Sequence, residues 1–377
     1  MLTVIDSEIA LIAIPFRFGF RHALAERDVG DGVLVTIRDE QGRAGHGECT
    51  PREYVSGETS RTAFESLSRS VSRWMSRSFD SFEELTEALG HAAVGLPREE
   101  HAAFCALELA WLDLGGQVFG HSAGAPLGPV QNQRVAYSGV ISASGKEEAA
   151  KKCAAMRQLG VTSVKVKVGA EGSSDRELIA AVREVLGDRA SLRVDANGAW
   201  DAETALARMR ELEPFRLEGC EQPCAGDDLD GMAWLTERSP VPVIADESLV
   251  SLEDAQRLID LRGCHVFNVR ISKCGGLLNA GRVRDLGRAA GIDTMLGAHV
   301  GETAILAAAG RQFAARTSNL RFAEGSYGKL LLEADVSDAL DLGHGGTGKV
   351  LAGNGLGLDV DLERIAPYVV SRMKLST

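Results

Sequence analysis

The chain has 377 residues, more than one hydrophobic core usually organises, so a large domain with a smaller companion is expected. Hydrophobic residues make up 45% and charged residues 25%, which excludes disordered, collagen-like and membrane-embedded classes. A formal net charge of −12 argues against nucleic acid or an anionic membrane surface as a partner, because both are held by broad basic faces.

The N-terminal segment MLTVIDSEIALIAIPF has no basic region and no cleavage site, and no apolar run is read as long enough to cross a membrane. The seven cysteines lack the spacing of a disulfide framework, so a reduced, cytoplasmic setting with buried thiols is the expectation. Cys220 and Cys224 form half of a zinc motif, but no second pair follows, and zinc is not expected.

In chain order, residues 1–130 read as an α+β cap. Alternating strands are expected near Val4–Ile14 and Val33–Arg38, followed by helices over Thr62–Ser76, Ser81–His91 and Glu99–Gly115. In the last of these, Ala103, Phe104, Leu107, Ala110, Trp111 and Leu114 form an apolar stripe at helical spacing. From residue 131 to 330 short apolar runs alternate with amphipathic helices, the mark of parallel βα units. Eight runs are counted: Arg134–Ser138, Ser163–Val168, Ser191–Val194, Phe215–Glu218, Val241–Ala245, His265–Val269, Asp293–Leu296 and Asn319–Ala323. One helix begins at a capping box, Ser251 to Asp254. The fold class is therefore α/β: a modified (β/α)8 TIM-type barrel with an N-terminal α+β capping domain, completed by the Gly-rich tail 331–377 folding back onto it.

A barrel of this kind builds its site from the C-terminal ends of its strands. Lys165 and Lys167 lie at the second strand end, Asp195 at the third, Glu221 at the fourth, Asp246 at the fifth, Arg270 and Lys273 at the sixth, His299 at the seventh and Glu324 at the eighth. From Asp195 to Glu221 is 26 residues and from Glu221 to Asp246 is 25, one βα unit each. One carboxylate alone reads as the cap of the next helix. Three in register would repel one another unless a hard divalent cation joined them, and an oxygen-only ligand set suits Mg²⁺, with Mn²⁺ as the alternative.

Lys165 and Lys167 are two apart in SVKVKVG, so both face one side of a strand, the barrel interior. Mutual repulsion, burial and a nearby metal are expected to depress the pKa of at least one lysine until a neutral amine can act as base. A base beside a divalent ion suits removal of a proton alpha to a carboxylate, which produces an enediolate.

These residues resemble the enolase superfamily, specifically its muconate-lactonizing (muconate cycloisomerase) subgroup, across essentially the whole chain. The carriers are Lys165-Val166-Lys167, VDANGAW with Asp195 and Asn197, EQP with Glu221, ADES with Asp246, and SKCGG with Lys273. The resemblance implies an isomerase or lyase with Asp195, Glu221 and Asp246 as Mg²⁺ ligands, Lys167 as the base and Lys165 as its electrostatic assistant. It also implies specificity loops at Phe16–Ala25 and Glu48–Thr59. Symmetric homo-oligomers are common for such barrels, and one is expected here.

One position departs from the pattern, because FNVRISKCGG carries Arg270 where many members have a second lysine, with Lys273 three residues later. Arginine stays protonated, so it stabilises anions but is a poor acid or base. One-base chemistry of the cycloisomerase or lyase kind is therefore preferred. The alternatives are an N-acylamino acid racemase, a dipeptide epimerase or an o-succinylbenzoate synthase on the same scaffold, and, from another class, a non-catalytic carboxylate-binding relative. Asn197, His299, Glu324, Arg21, Arg52 and Tyr54, with His22, are the candidates for contact with a small carboxylate substrate. For His299 a hydrogen-bonded loop histidine is an equal reading. The segment from Gly343 to Lys349 satisfies a phosphate-loop spacing, but Val350 follows the lysine and no strand–helix context surrounds it.

Overall fold

The computed structural model describes all residues except 23–24, 171–173, 341 and 377, and it describes no side chain from 18 to 26. In the cap, strands Leu2–His22, Ala25–Asp39 and Ala44–Cys49 form an antiparallel sheet. The C-terminal strand Val369–Ser376 adds to the free edge of the first strand, so the two ends of the chain share one sheet. The first two strands run well beyond Val4–Ile14 and Val33–Arg38, and Ala44–Cys49 and Val369–Ser376 complete the sheet, the latter alternating half-buried and exposed residues along its whole length.

Cap helices occupy Ser60–Met75, Phe82–Ala92 and His101–Phe119. The first begins at a Thr59–Thr62 capping box and the second at Ser81, whose side chain accepts from the Glu84 amide. The third departs from the expected stripe: every residue from His101 to Gly116 is buried, the pattern of a helix enclosed on all sides. Its fit against the sheet depends on glycine, since a Cβ at Gly45 or Gly47 would lie 2.3 Å from the Ala110 carbonyl or 1.8 Å from that of Ala106. Trp111 is fully buried, with the Phe79 ring 5.4 Å away. The segment Arg98–Phe119 is long and apolar enough to cross a membrane, which corrects the reading that no such run exists. Here 83% of its most apolar window is buried inside the protein, so it serves as the core helix of the cap.

The second layer is one curled sheet of eight parallel strands, in order Gly139–Ile141, Ser163–Lys167, Ser191–Asp195, Cys220–Glu221, Val243–Ala245, Val266–Val269, Asp293–Leu296 and Leu320–Ala323. The Ser138 amide donates to the Ala323 carbonyl at 2.8 Å, linking the two ends of the sheet into a barrel. Two strand assignments change. Arg134–Ala136 pairs with Thr347–Lys349 of the tail, so the first barrel strand starts at Gly139. Phe215 belongs to a short 3₁₀ turn, and the fourth strand is Cys220–Glu221, which puts Glu221 on the strand itself. The pairing of Thr347–Lys349 with Arg134–Ala136, with no helix following it, removes the context a phosphate loop needs.

Inside the barrel, Ile244, Val266, Met295 and Phe322 form a small apolar floor of one residue from each of four consecutive units. The Arg193 guanidinium lies over the Phe322 ring at 4.6 Å and separates this floor from the charged layer above. Outside, Val164, Val166, Leu192 and Val194 are fully buried within the main core.

Candidate active site

Strand register sets the first row of the site. Lys167, Asp195 and Glu221 are successive Cα partners across three parallel strands, so their side chains meet at one rim of the barrel. Asp246 follows the next strand, which pairs Ile244 with Glu221. All three carboxylates are fully buried.

Lys165 sits at the centre. Its ammonium donates to Glu221 Oε2 at 2.9 Å and to Glu324 Oε2 at 2.9 Å, and lies 3.1 Å from Asp195 Oδ2. Lys167 reaches the same Asp195 Oδ2 at 2.6 Å and Asn197 Oδ1 at 2.7 Å, so the two lysines share the interior face. Asn197 passes its amide on to Glu247 Oε1 at 3.0 Å. On the other side Arg270 pairs with Asp246 Oδ2, while the Lys273 ammonium donates to Asp246 Oδ1 and to the Asp246 carbonyl, each at 2.7 Å, and to the Asn268 carbonyl at 3.0 Å.

The electrostatics follow from burial and these contacts. Burial alone would lower the Lys165 pKa, but Glu221, Glu324 and Asp195 outweigh it and hold the group above the ordinary lysine range. Of the two lysines Lys165 therefore does not carry a depressed value, because three carboxylates surround it. Asp195 is raised by burial, yet Lys167 and Lys165 pull it below the usual carboxylate range. Asp246 is held low in the same way by Arg270 and Lys273. Glu221 goes up, because burial and the charges of Asp195, Glu324 and Asp246 exceed what Lys165 offsets.

A divalent cation is implied by this donor set. The oxygens are hard and fully buried, and burial together with the neighbouring carboxylates pushes Glu221 up, so the chemistry of the residues fits Mg²⁺. Among the described residues no three acidic, histidine or cysteine side chains stand as a finished cage, because Lys165, Lys167, Arg270 and Lys273 take up the carboxylate oxygens. Asp195, Glu221 and Asp246 could hold the ion at the oxygens that Lys165 and Arg270 now take up, with Lys273 staying on Asp246 Oδ1 and the Asp246 carbonyl. The cysteines, Cys220 and Cys224 included, are free and buried, and no zinc group is formed among the described residues.

The remaining candidates divide. Glu324 is buried and engaged by Lys165 and Arg193, beneath the rim. His299 is buried; burial, Arg270, Arg52 and Lys273 hold its pKa well down, so the ring is neutral, and its backbone amide donates to Glu302 Oε1 at 2.7 Å. Arg52 is 1% exposed and donates to the Pro51 carbonyl at 2.7 Å and the Val300 carbonyl at 2.6 Å, which ties cap to barrel. Tyr54 is partly exposed and lines a cavity of about 810 Å³ with Arg98, Asn197, Gln222, Asp227 and Glu247. Arg21 and His22 belong to the first cap strand, but their side chains lie outside the described residues, as do most side chains of the Phe16–Ala25 segment.

Three residues escape the strand-end count. Arg193 donates to Ser138 Oγ at 2.8 Å and pairs with Glu324; Asn268 donates to Glu221 Oε1 at 2.9 Å; Glu247 receives Asn197. A signal existed for two of them: Arg193 precedes Asp195 by two residues and Asn268 precedes Arg270 by two, the spacing that puts both on the inward face.

A buried rim of carboxylates and lysines thus lies on parallel strand ends beneath an α+β cap. The chain belongs to the enolase superfamily: residues 148–365 match the family described as "Enolase C-terminal domain-like". It is 28% identical over 299 residues to an L-Ala-D/L-Glu epimerase of Clostridium acetobutylicum, covering 78% of this chain and 81% of that one. It is 38% identical over 207 residues to an o-succinylbenzoate synthase of Thermobifida fusca, covering 54% and 62%. Its fold matches the crystal structure of a dipeptide epimerase from Enterococcus faecalis complexed with Mg and the dipeptide L-Leu-L-Tyr, with a TM-score of 0.85 and 26% identity over 95% of this chain and 100% of that one. The protein is thus an enzyme of the isomerase or lyase kind.

Proposed function

We propose that this enzyme removes the proton alpha to the carboxylate of a small substrate, with Mg²⁺ as cofactor, and completes a cycloisomerase- or lyase-type reaction. The observation that carries the reading is the row Lys167–Asp195–Glu221, in which a partly exposed amine adjoins buried carboxylates that repel one another. Asp195, Glu221 and Asp246 would hold the ion, which when bound supplies positive charge for the oxygens of the developing enediolate. The complex of a dipeptide epimerase with Mg and dipeptide supports that choice of cofactor.

Lys167 is the base. Of the two lysines it is the less enclosed, with 13% of its side chain exposed against 2% for Lys165, and Asn197, itself bonded to Asp195 through its backbone amide, helps to orient it. Lys165 is held by three carboxylates and acts through its charge. Glu324 and Arg193 fix Lys165 from below, so their part is positioning.

Lys273 has 0% side-chain exposure and its ammonium meets three acceptors, so it anchors Asp246 and does not approach substrate. Arg270 then stands opposite Lys167 as a fixed cation that binds an anionic group. One working base favours proton removal on one face with loss or closure of a neighbouring bond. Racemisation or epimerisation is the second reading, favoured by the likeness to the L-Ala-D/L-Glu epimerase. Dipeptides, N-acyl amino acids and dicarboxylic acids are the substrate classes to test, in the cavity beside Tyr54, Asn197 and Glu247.

The test is proton exchange in D₂O with Mg²⁺ across such a panel, followed by proton NMR. The account expects at least one carboxylate to take up deuterium at its alpha carbon and exchange to stop on chelation. Exchange that persists in excess chelator, or no exchange with any member, contradicts it.

A further inference from the structure

The loop from Lys273 to Leu278 is gripped by one face of the buried cap helix His101–Phe119. His101 Nδ1 lies 3.1 Å from the carbonyl oxygen of Lys273 itself. Seven residues on, two helical turns along the same face, the Glu108 carboxylate accepts from the Leu277 amide and, at 3.2 Å, from the Leu278 amide. Those amides open the barrel helix Leu277–Ala289, whose own N-cap, Gly276, offers no side chain. Glycine is required there: φ is +112°, and a Cβ would lie 2.2 Å from Glu108 Oε2. The Thr50 amide of the cap adds a bond to Ser272 Oγ at 3.2 Å.

The grip ends at the site. With its carbonyl and the following helix start both fixed by the cap, Lys273 holds Asp246 by two bonds and the Asn268 carbonyl by a third. Asn268 in turn donates to Glu221. We infer that His101 and Glu108 are positioning residues: through Lys273 the cap helix sets where Asp246 stands, and thereby the affinity of the site for its divalent cation. The inference rests on the reading of Asp246 as a metal ligand.

The cap also contains its own control. Glu48 accepts from the Thr303 amide at 2.8 Å and the Leu306 amide at 2.9 Å, capping the helix Ala304–Ala315 as Glu108 caps its neighbour, but it has no bond to the Lys273 loop. Mg²⁺ binding to the full chain is measured by calorimetry for the native protein, His101→Phe, Glu108→Ala and Glu48→Ala, with urea denaturation in chelator recording stability for each. Removing a partner that orients a ligand typically weakens metal binding by about 10- to 100-fold. His101→Phe and Glu108→Ala are expected to raise the Kd for Mg²⁺ by about tenfold or more, and Glu48→Ala by less than about twofold at a similar loss of stability. His101→Phe keeps a ring in the packed site, so it provides the test if Glu108→Ala does not fold. An unchanged Kd in the folded variants, or an equal rise in Glu48→Ala, overturns the inference while leaving the proposed function standing. Absence of Mg²⁺ binding by the native chain overturns both.

Discussion

The molecule contains two populations of buried carboxylates, and they are neutralised differently. At the barrel rim Asp195 and Asp246 are paired with ammonium and guanidinium groups, which hold their pKa values low against burial. Along the seam between cap and barrel Glu48 and Glu108, and within the cap Glu58, face backbone amides at helix starts, and burial dominates: Glu108 is pushed up to about 8, Glu48 and Glu58 to about 7. Amide dipoles satisfy hydrogen bonds without supplying a full charge, so they stabilise the carboxylate less than a lysine does. Asp195 and Asp246 are therefore kept charged, whereas burial and the neighbouring carboxylates raise Glu221 between them, as burial raises the glutamates that face amides.

The contrast is sharpest when a rim carboxylate is removed. Asp195→Asn is expected to abolish Mg²⁺ binding in calorimetry and with it all alpha-proton exchange, while the chain stays folded; retained binding would break the assignment. Next comes Arg270→Lys, which puts a titratable amine opposite Lys167. Single-enantiomer substrates should then exchange with inversion, where the native enzyme returns one configuration only, as read by chiral chromatography. Inversion by the native enzyme would place a second base elsewhere.

At the seam, Glu108→Ala leaves the Leu277 and Leu278 amides without their partner, a cost of about 1–3 kcal/mol for a buried group in urea denaturation. The smallest effect is the pH dependence. Between the ordinary glutamate value and about 7–8 the folded chain keeps protons on Glu48, Glu58 and Glu108 that the unfolded chain has released, so stability falls as pH rises across that window. Asp195 and Asp246 contribute the opposite sign, but only below the ordinary aspartate value, where the unfolded chain takes up protons that the folded rim still refuses; Glu221, raised at the rim, adds to the decline at higher pH. Urea midpoints in chelator should therefore decline from pH 5.5 to 8.5, and Glu108→Gln should flatten the decline. An equal slope in the variant would show that Glu108 is ionised throughout.

Much of the rim was legible in the sequence because its logic is local and periodic. One chemical residue per βα unit, at an interval of 25 or 26 residues, identifies Asp195, Glu221 and Asp246, and period-2 spacing makes neighbours of Lys165 and Lys167. The seam was illegible because its partners are remote: Glu108 and Leu277 are 169 residues apart, and nothing near Glu108 in sequence points to an exposed helix start. The edge strand Val369–Ser376 is missed although Met373 and Leu375 alternate with Arg372, Lys374 and Ser376, because the tail reads as one Gly-rich segment. The first barrel strand was displaced by five residues because Arg134–Ala136 has strand character but finds its partner in the tail.

The most direct test compares the native enzyme with Lys167→Ala at saturating Mg²⁺, measuring metal binding and alpha-proton exchange in the same preparations. Loss of a positioned base typically costs about 10²–10⁴-fold, so the variant should bind Mg²⁺ as the native chain does while exchange falls by at least about 10². Exchange at the native rate in a variant that binds the ion would show that another group takes the proton.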